Sequence, residues 1–240
     1  METALTEDAL LGGRVRLLQS RRGYRVAVDA VLLAAAVHPG PGERVLDLGT
    51  GVGAVALCIA KRVPDCTILG IELQPALAQL AQRNATRNGF GDRVHTIVHD
   101  IAQPLQAELG LFDQVATNPP YMAAAAADPP PDRSKALATV ESSADLKRWL
   151  EVATGALKPS GTLTLIHRAD RLEEIAAQLV RLGWGALTVK RLPPAPRVLV
   201  RARRGPPSVI QSPPLTLHAP EGGYTEAAEA ILRHAAALDF

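Results

Sequence analysis

Asn118-Pro119-Pro120-Tyr121 closes the extended run Phe112-Asp113-Gln114-Val115-Ala116-Thr117, at the point where a strand stops and a loop begins. Two consecutive prolines fix φ near about −65° and remove two backbone donors, which leaves stiff carbonyls open to accept hydrogen bonds. The asparagine oxygen adds a further acceptor, and the tyrosine ring adds a flat surface. Together they suit a planar group that carries an NH2. A Pro-rich turn ending a strand would contain the same residues, so the rest of the chain must separate the two readings.

Upstream lies Val45-Leu46-Asp47-Leu48-Gly49-Thr50-Gly51-Val52-Gly53, followed by the apolar run Ala54–Ala60. This reads as a short strand, a tight glycine turn and a helix, with glycines where a ligand must approach the main chain closely. Gly49-x-Gly51-x-x-Ala54 also satisfies a loose dinucleotide fingerprint, so the glycines alone do not choose a ligand. Asp47 shifts the balance, because a carboxylate two positions before the first glycine repels a pyrophosphate and attracts a cation. S-adenosylmethionine carries a sulfonium and an ammonium and no phosphate. The strand Thr67–Glu72 ends on an acid 19 residues past Gly53, where it can take both ribose hydroxyls. Val94–Asp100 ends on another, placed to accept from an adenine amino group. The candidate donor site is therefore Asp47, Gly49, Thr50, Gly51, Gly53, Glu72, Leu73, Asp100, Ile101 and Asn118.

Carrying these motifs, the chain resembles the class I S-adenosylmethionine-dependent methyltransferases that modify amino groups through an Asn/Asp-Pro-Pro-aromatic motif. Within that group it is similar to bacterial tRNA adenine-N6 methyltransferases, which act next to the anticodon of a valine tRNA. The resemblance spans nearly the whole chain. It includes Leu11-Gly12-Gly13-Arg14, the segment from Gly23 to Ala34, Arg197–Ala202 and Gly223-Tyr224-Thr225. It implies a Rossmann-like α/β fold whose seven-stranded, mostly parallel sheet ends in a C-terminal antiparallel hairpin strand. It also implies S-adenosylmethionine as cofactor, Asn118, Pro119, Pro120 and Tyr121 as the catalytic set, and the tRNA anticodon stem-loop as partner. A protein glutamine side chain is also planar with an NH2, so the release-factor branch stays open; its members begin with a helical domain, whereas the lead-in here is short and basic. Guanine-N2 and DNA-adenine targets share the same chemistry. A NAD-dependent dehydrogenase is a remote alternative, disfavoured by Asp47, the Asn-Pro-Pro-Tyr motif and the terminal hairpin.

The elements that must position these residues follow from pattern. A basic lead-in over residues 1–28 predicts a short strand pair around Gly12-Gly13 and Arg22-Gly23. Asp29 is placed to cap a helix from Ala30 to Val37. Strands Arg44–Leu48, Thr67–Ile71, Val94–Val98 and Phe112–Thr117 alternate with helices over Ala54–Arg62 and from Pro75 to Asn88-Gly89, an order that implies a parallel sheet covered on both faces. A helix near Ala144–Leu157, a turn at Lys158-Pro159-Ser160-Gly161, strand Thr162–His167 and a helix capped by Asp170 come next. Strands Ala186–Leu192 and Arg197–Ala202 form the hairpin, and a last helix runs from Thr225 to about Leu238. Met122–Lys135, rich in Ala and Pro, is either a lid that orders on substrate or a plain connector. The whole reads as one domain over 1–240, with the catalytic core at 29–204 and a Pro-rich segment and helix at 205–240.

Apolar residues make up 47% of the chain, enough for a sizeable core, and no apolar run approaches the length of a membrane span. Met1–Asp8 is acidic and polar, unlike a secretory signal, and the two cysteines suggest a reduced cytoplasm. No His, Cys, Asp or Glu set has metal-ligand spacing; His95 and His99 read as packing or surface residues. The net charge of +2 conceals two acid-free stretches, Ala9–Val28 with five arginines and Ile175–Pro220 with seven basic residues. Arg14, Arg21, Arg22, Arg25, Arg133, Lys190, Arg191, Arg197, Arg201 and Arg203 are the candidate RNA contacts, since one-sign segments at both ends of a nucleotide fold suit a phosphate backbone.

Overall fold

A computed structural model describes residues 4–21, 25–121 and 144–240. The segment 122–143, with the lid reading, and Arg22 and Arg133 lie outside the described residues. The chain opens with an antiparallel hairpin, β1 (Leu5–Leu10) and β2 (Val15–Ser20), turning at Gly12-Gly13. Then come α1 (Val28–Ala36), β3 (Arg44–Leu48), α2 (Ala54–Arg62), β4 (Thr67–Glu72), α3 (Pro75–Arg87), β5 (Val94–Val98) and β6 (Phe112–Thr117). After the undescribed segment follow α4 (Leu146–Gly155), β7 (Leu157–Arg168), α5 (Leu172–Arg181), β8 (Ala186–Arg191), β9 (Arg197–Arg203), β10 (Ser208–Gln211) and α6 (Glu226–His234).

The main sheet has the order β10-β8-β9-β7-β6-β3-β4-β5. Strands β5, β4, β3, β6 and β7 are parallel, and β9 runs antiparallel to both β7 and β8. The expected seven-stranded sheet is therefore an eight-stranded one. Ser208–Gln211, between proline pairs in the Pro-rich segment, adds a parallel edge strand to β8. Three local expectations also change. Lys158–Gly161 is not a free turn but the start of the long β7. Asp170 does not cap α5; it pairs with Arg168. Asp29 does not cap α1, which begins at Val28 with Ala27 as its cap.

Burial explains the placement of the helices. Helix α1 is apolar nearly all round, buries seven consecutive residues from Ala30 to Ala36, and joins α2, the hairpin and α6 in one core on one face of the sheet. On the other face α4 and α5 present Trp149, Leu150, Ile175 and Leu179 to Val115, Leu163, Val198 and Val200. The N-terminal hairpin is held by a buried asparagine on α3. Asn84 accepts from the Leu18 N–H at 2.9 Å and donates to the carbonyls of Leu18 and Val52, each at 2.9 Å. Val52 belongs to the glycine turn, so one side chain ties the hairpin to the ligand loop. Asn84→Ala leaves buried backbone groups without partners and is expected to lower unfolding stability by about 2–3 kcal/mol. A urea titration with an unchanged midpoint would remove Asn84 from this role.

Candidate active site

Parallel pairing brings the strand ends into one row. Leu48 faces Ile71 on one side and Thr117 on the other, and Ile71 faces Ile97. The next step along each chain is Gly49, Glu72 and Asn118, and Asp100 follows two residues beyond Val98. These ends line a single cleft together with Asp47, Thr50, Gly51, Leu73, Gln74, His99, Ile101, Pro119, Pro120, Tyr121 and Trp149. Strand order reverses between β3 and β6, the position where open α/β sheets bind ligands. Of the candidate donor residues only Gly53 is not part of the lining. Its φ of +90° and an Ala81 Cβ only 3.3 Å from where a side chain would begin make it the hinge into α2.

The glycine turn is shaped by what surrounds it. A Cβ on Gly49 would stand 2.5 Å from the Trp149 ring, so only glycine lets the indole close the floor of the cleft. At Gly51 the space is open, and its N–H donates to Glu72 Oε2 at 3.0 Å. The other Glu72 oxygen accepts from the Gln74 N–H at 2.9 Å. Burial raises the Glu72 pKa, and these backbone donors oppose it.

Asp47 is 1% exposed. Its Oδ2 accepts from the Thr50 hydroxyl at 2.6 Å and from the Ala56 N–H at 3.2 Å, while Oδ1 is buried with no partner. Burial pushes its pKa up to about 6, helped by the nearby Glu72 charge and opposed by those two hydrogen bonds. The described cleft lining holds three carboxylates (Asp47, Glu72 and Asp100) and no lysine or arginine. That donor set fits a cation with hydroxyl and amino groups and does not fit a pyrophosphate. S-adenosylmethionine matches it, with the orphaned Asp47 oxygen as the clearest sign.

At the other side of the cleft, Asn118 Oδ1 is also buried and unpartnered. The Pro120 carbonyl is engaged by His167 Nε2 at 3.3 Å. The Tyr121 hydroxyl donates to Asp29 Oδ2 at 2.7 Å, and Arg197 Nε donates to the same oxygen at 3.1 Å. The Arg197 guanidinium lies over the Tyr121 ring, 4.3 Å from its centroid. His167, fully buried, stands edge-on to that ring at 5.3 Å. Burial pushes its pKa down to about 4, with Arg171 adding to the effect, so the imidazole is neutral. Sequence reasoning did not single out His167, Trp149 or Asp29 at this end of the sheet. Each sits on an apolar stretch whose spacing signals packing, and only tertiary contact brings it to Tyr121 or to the cleft.

The candidate RNA residues disperse. Arg14 bonds the Leu11 and Arg233 carbonyls, Arg25 pairs with Asp8 at 2.7 Å, and Lys190 is buried with its ammonium on the Pro213 carbonyl at 2.7 Å. Arg201 donates to the Ala36 carbonyl and stacks on Phe240, which burial accompanies with a lowered pKa. Arg203 lies six residues along β9 from Arg197, roughly 20 Å toward the opposite end of the strands. Arg21 and Arg191 are exposed.

Residues 39–183 match the family model described as a methyltransferase domain. The chain belongs to the methyltransferase family. It is 33% identical over 222 residues to the tRNA1(Val) (adenine(37)-N6)-methyltransferase of Porphyromonas gingivalis, covering 86% of each protein. To the Aeromonas hydrophila protein of the same name it is 31% identical over 212 residues, covering 86% of this chain and 87% of that one. Among solved structures it is similar to a predicted O-methyltransferase of Agrobacterium tumefaciens, with a TM-score of 0.71, 26% identity and coverage of 88% and 98%. The geranyl diphosphate C-methyltransferase of Streptomyces coelicolor, solved with S-adenosyl-L-homocysteine, shares the fold at a TM-score of 0.54 and 14% identity, covering 72% and 78%. The methyl donor of this methyltransferase is S-adenosylmethionine.

The burial of Asp47 carries a cost to stability that a bound cation would relieve. A carboxyl that titrates near 6 in the fold and near 3.8 outside it costs the donor-free protein about 3 kcal/mol at neutral pH. Its folded pKa is raised, so this cost is absent at low pH and grows as pH rises from 3.8 through about 6. Attraction for a cationic donor would appear only as the folded carboxyl ionises, near pH 6. Asp47→Asn is therefore expected to melt higher than wild type at pH 7 without donor, to bind donor more weakly, and to lose the affinity step near pH 6. Calorimetry at several pH values checks this, and undiminished affinity would remove Asp47 from the site.

Proposed function

We propose that this methyltransferase transfers a methyl group from S-adenosylmethionine to the exocyclic N6 amine of an adenosine in tRNA, within the anticodon loop. The observation that carries the reading is the Asn118 oxygen, buried and unpartnered on the cleft wall beside two prolines whose carbonyls project from stiff backbone. An adenine NH2 offers two hydrogens to such acceptors, and its lone pair is delocalised into the ring. Accepting one N–H at Asn118 Oδ1 and the other at the Pro119 carbonyl favours a pyramidal nitrogen as positive charge develops. Bound S-adenosylmethionine supplies an electrophilic methyl group on a sulfonium. Asp47 would hold its cationic end, Glu72 the ribose and Asp100 with Ile101 the adenine. Tyr121 gives the target base a stacking surface worth roughly 1–3 kcal/mol. No general base with a tuned pKa is required, because water can take the proton of the product ammonium.

The choice of tRNA over a protein glutamine is supported by relatives that cover most of the chain and carry the tRNA name. Arg191, at the cleft end of β8, is an exposed cation that a phosphate backbone could meet. A base in a folded loop must be splayed out to reach the cleft, at a cost of a few kcal/mol that backbone contacts offset. Two free, buried cysteines suit the reduced cytoplasm in which tRNA resides.

Labelled S-adenosylmethionine incubated with total tRNA from a strain lacking this gene is expected to yield labelled N6-methyladenosine. Label appearing in protein glutamine instead of tRNA would overturn the substrate while keeping the chemistry. Asn118→Ala is expected to cut turnover at least ~100-fold with donor affinity intact. An equal loss of donor affinity would contradict the assigned role.

A further inference from the structure

Tyr121 forms part of the cleft wall, yet Asp29, Arg197 and His167, which hold it, are not among the lining residues. They come from three elements that meet behind it: Asp29 from α1, His167 from β7 and Arg197 from β9. One carboxylate oxygen, Asp29 Oδ2, receives both the Tyr121 hydroxyl at 2.7 Å and Arg197 Nε at 3.1 Å. The hydroxyl contact fixes where the tip of the ring points. The guanidinium at 4.3 Å from the centroid covers one ring face, so the aromatic plane cannot tilt that way. His167 limits the ring from its edge and holds the adjoining Pro120 carbonyl. A surface ion pair would be a weak device, but Asp29 and Arg197 keep only 14% and 23% of their side-chain surface exposed.

We propose that Asp29 and Arg197 are a positioning pair that fixes Tyr121 as the stacking platform for the target base. The pair acts through the tyrosine and touches neither donor nor base. Arg197 accordingly serves base alignment, not the RNA backbone. This rests on the proposed reading in that the base stacks on Tyr121. Alignment of base nitrogen and methyl donor tolerates little error, since a displacement of about 1 Å can cost on the order of 100-fold in rate. The pair should therefore govern turnover and leave donor affinity alone. A mere staple between α1 and β9 would show up in stability and leave kcat unchanged.

The test measures kcat and KM on an anticodon stem-loop transcript, together with donor affinity by calorimetry, for Asp29→Asn, Arg197→Gln, Arg197→Lys and Tyr121→Phe. Asp29→Asn and Arg197→Gln are expected to lower kcat ~10- to 100-fold with donor affinity unchanged. Arg197→Lys, which keeps the charge but not the planar stack, should not restore it. In a Tyr121→Phe background the additional loss from Asp29→Asn should shrink to less than about 3-fold, the sign that both act through one ring. Unchanged kcat, or fully additive losses, would overturn the proposal. A second measurement needs no RNA. In protein labelled with 3-fluorotyrosine, the fluorine resonance assigned to position 121 by its loss in Tyr121→Phe should shift in Asp29→Asn and in Arg197→Gln. A resonance unmoved in both variants would overturn the clamp whatever the substrate. A wild-type protein inactive on the transcript, with the resonance moving as expected, would instead overturn the tRNA reading alone.

Discussion

Everything at the cleft depends on the parallel pairing of β3 with β6. Leu48 stands opposite Thr117, and the Thr117 hydroxyl donates to the Leu48 carbonyl at 3.1 Å, which locks that register. One residue further on the two chains part, one into the glycine turn and the other into Asn118-Pro119-Pro120-Tyr121. A slip of one residue would turn Asp47 or Asn118 to the opposite face of the sheet. The register is safe because both strands are buried on both faces, with Leu46, Leu48, Val115 and Ala116 at or near zero exposure. Two cores thus hold one alignment, and that alignment sets donor and acceptor chemistry side by side.

The same strand end accommodates a carboxylate that packing alone would reject. Helix α2 has no side-chain cap of its own, since its cap residue is Gly53. Asp47 supplies the missing acceptor from outside the helix by bonding the Ala56 N–H, and no acidic residue occupies the first turn to repel it. The positive end of the helix offsets part of the desolvation of Asp47. The remainder, expressed in its raised pKa, is left for a cationic ligand to satisfy. A site tuned this way favours the charged methyl donor over any phosphate-bearing cofactor before shape is considered.

Most of this was legible because the chemistry lies at strand ends, where short apolar runs of period-free sequence finish on a polar residue. Asp47, Glu72, Asp100 and Asn118 each lie at or within two residues of the end of such a run, and the cleft gathers all of them. What was hidden came from residues whose sequence neighbours are apolar. Asp29 sits at the start of an apolar helix, where an acid reads as a cap; only the packing of α1 against β6 and β7 brings it to Tyr121. His167 ends a strand as the acids do, but one histidine beside Leu165 and Ile166 reads as core. The strand Ser208–Gln211 has no alternation and four exposed residues, so nothing local announces it. Proline pairs on both sides suit an edge strand as well as they suit a loop.

The basic flanks illustrate how charge in a sequence lacks direction. Two of those cations, Arg201 and Arg14, are used on helix ends within the fold, those of α1 and α6. A buried helix terminus leaves carbonyls that must find donors. Here Arg62 reaches the Ala34 carbonyl, the Leu238 N–H reaches that of Ala35 at 2.8 Å, and Arg201 reaches that of Ala36 at 2.7 Å. Arg14 performs the same service for α6, whose packing holds α1 in turn. Arg201 directly, and Arg14 through α6, therefore help secure the helix whose first turn carries Asp29. What these two side chains do is structural, from the capped end of α1 to the helix turn whose carboxylate accepts from Tyr121.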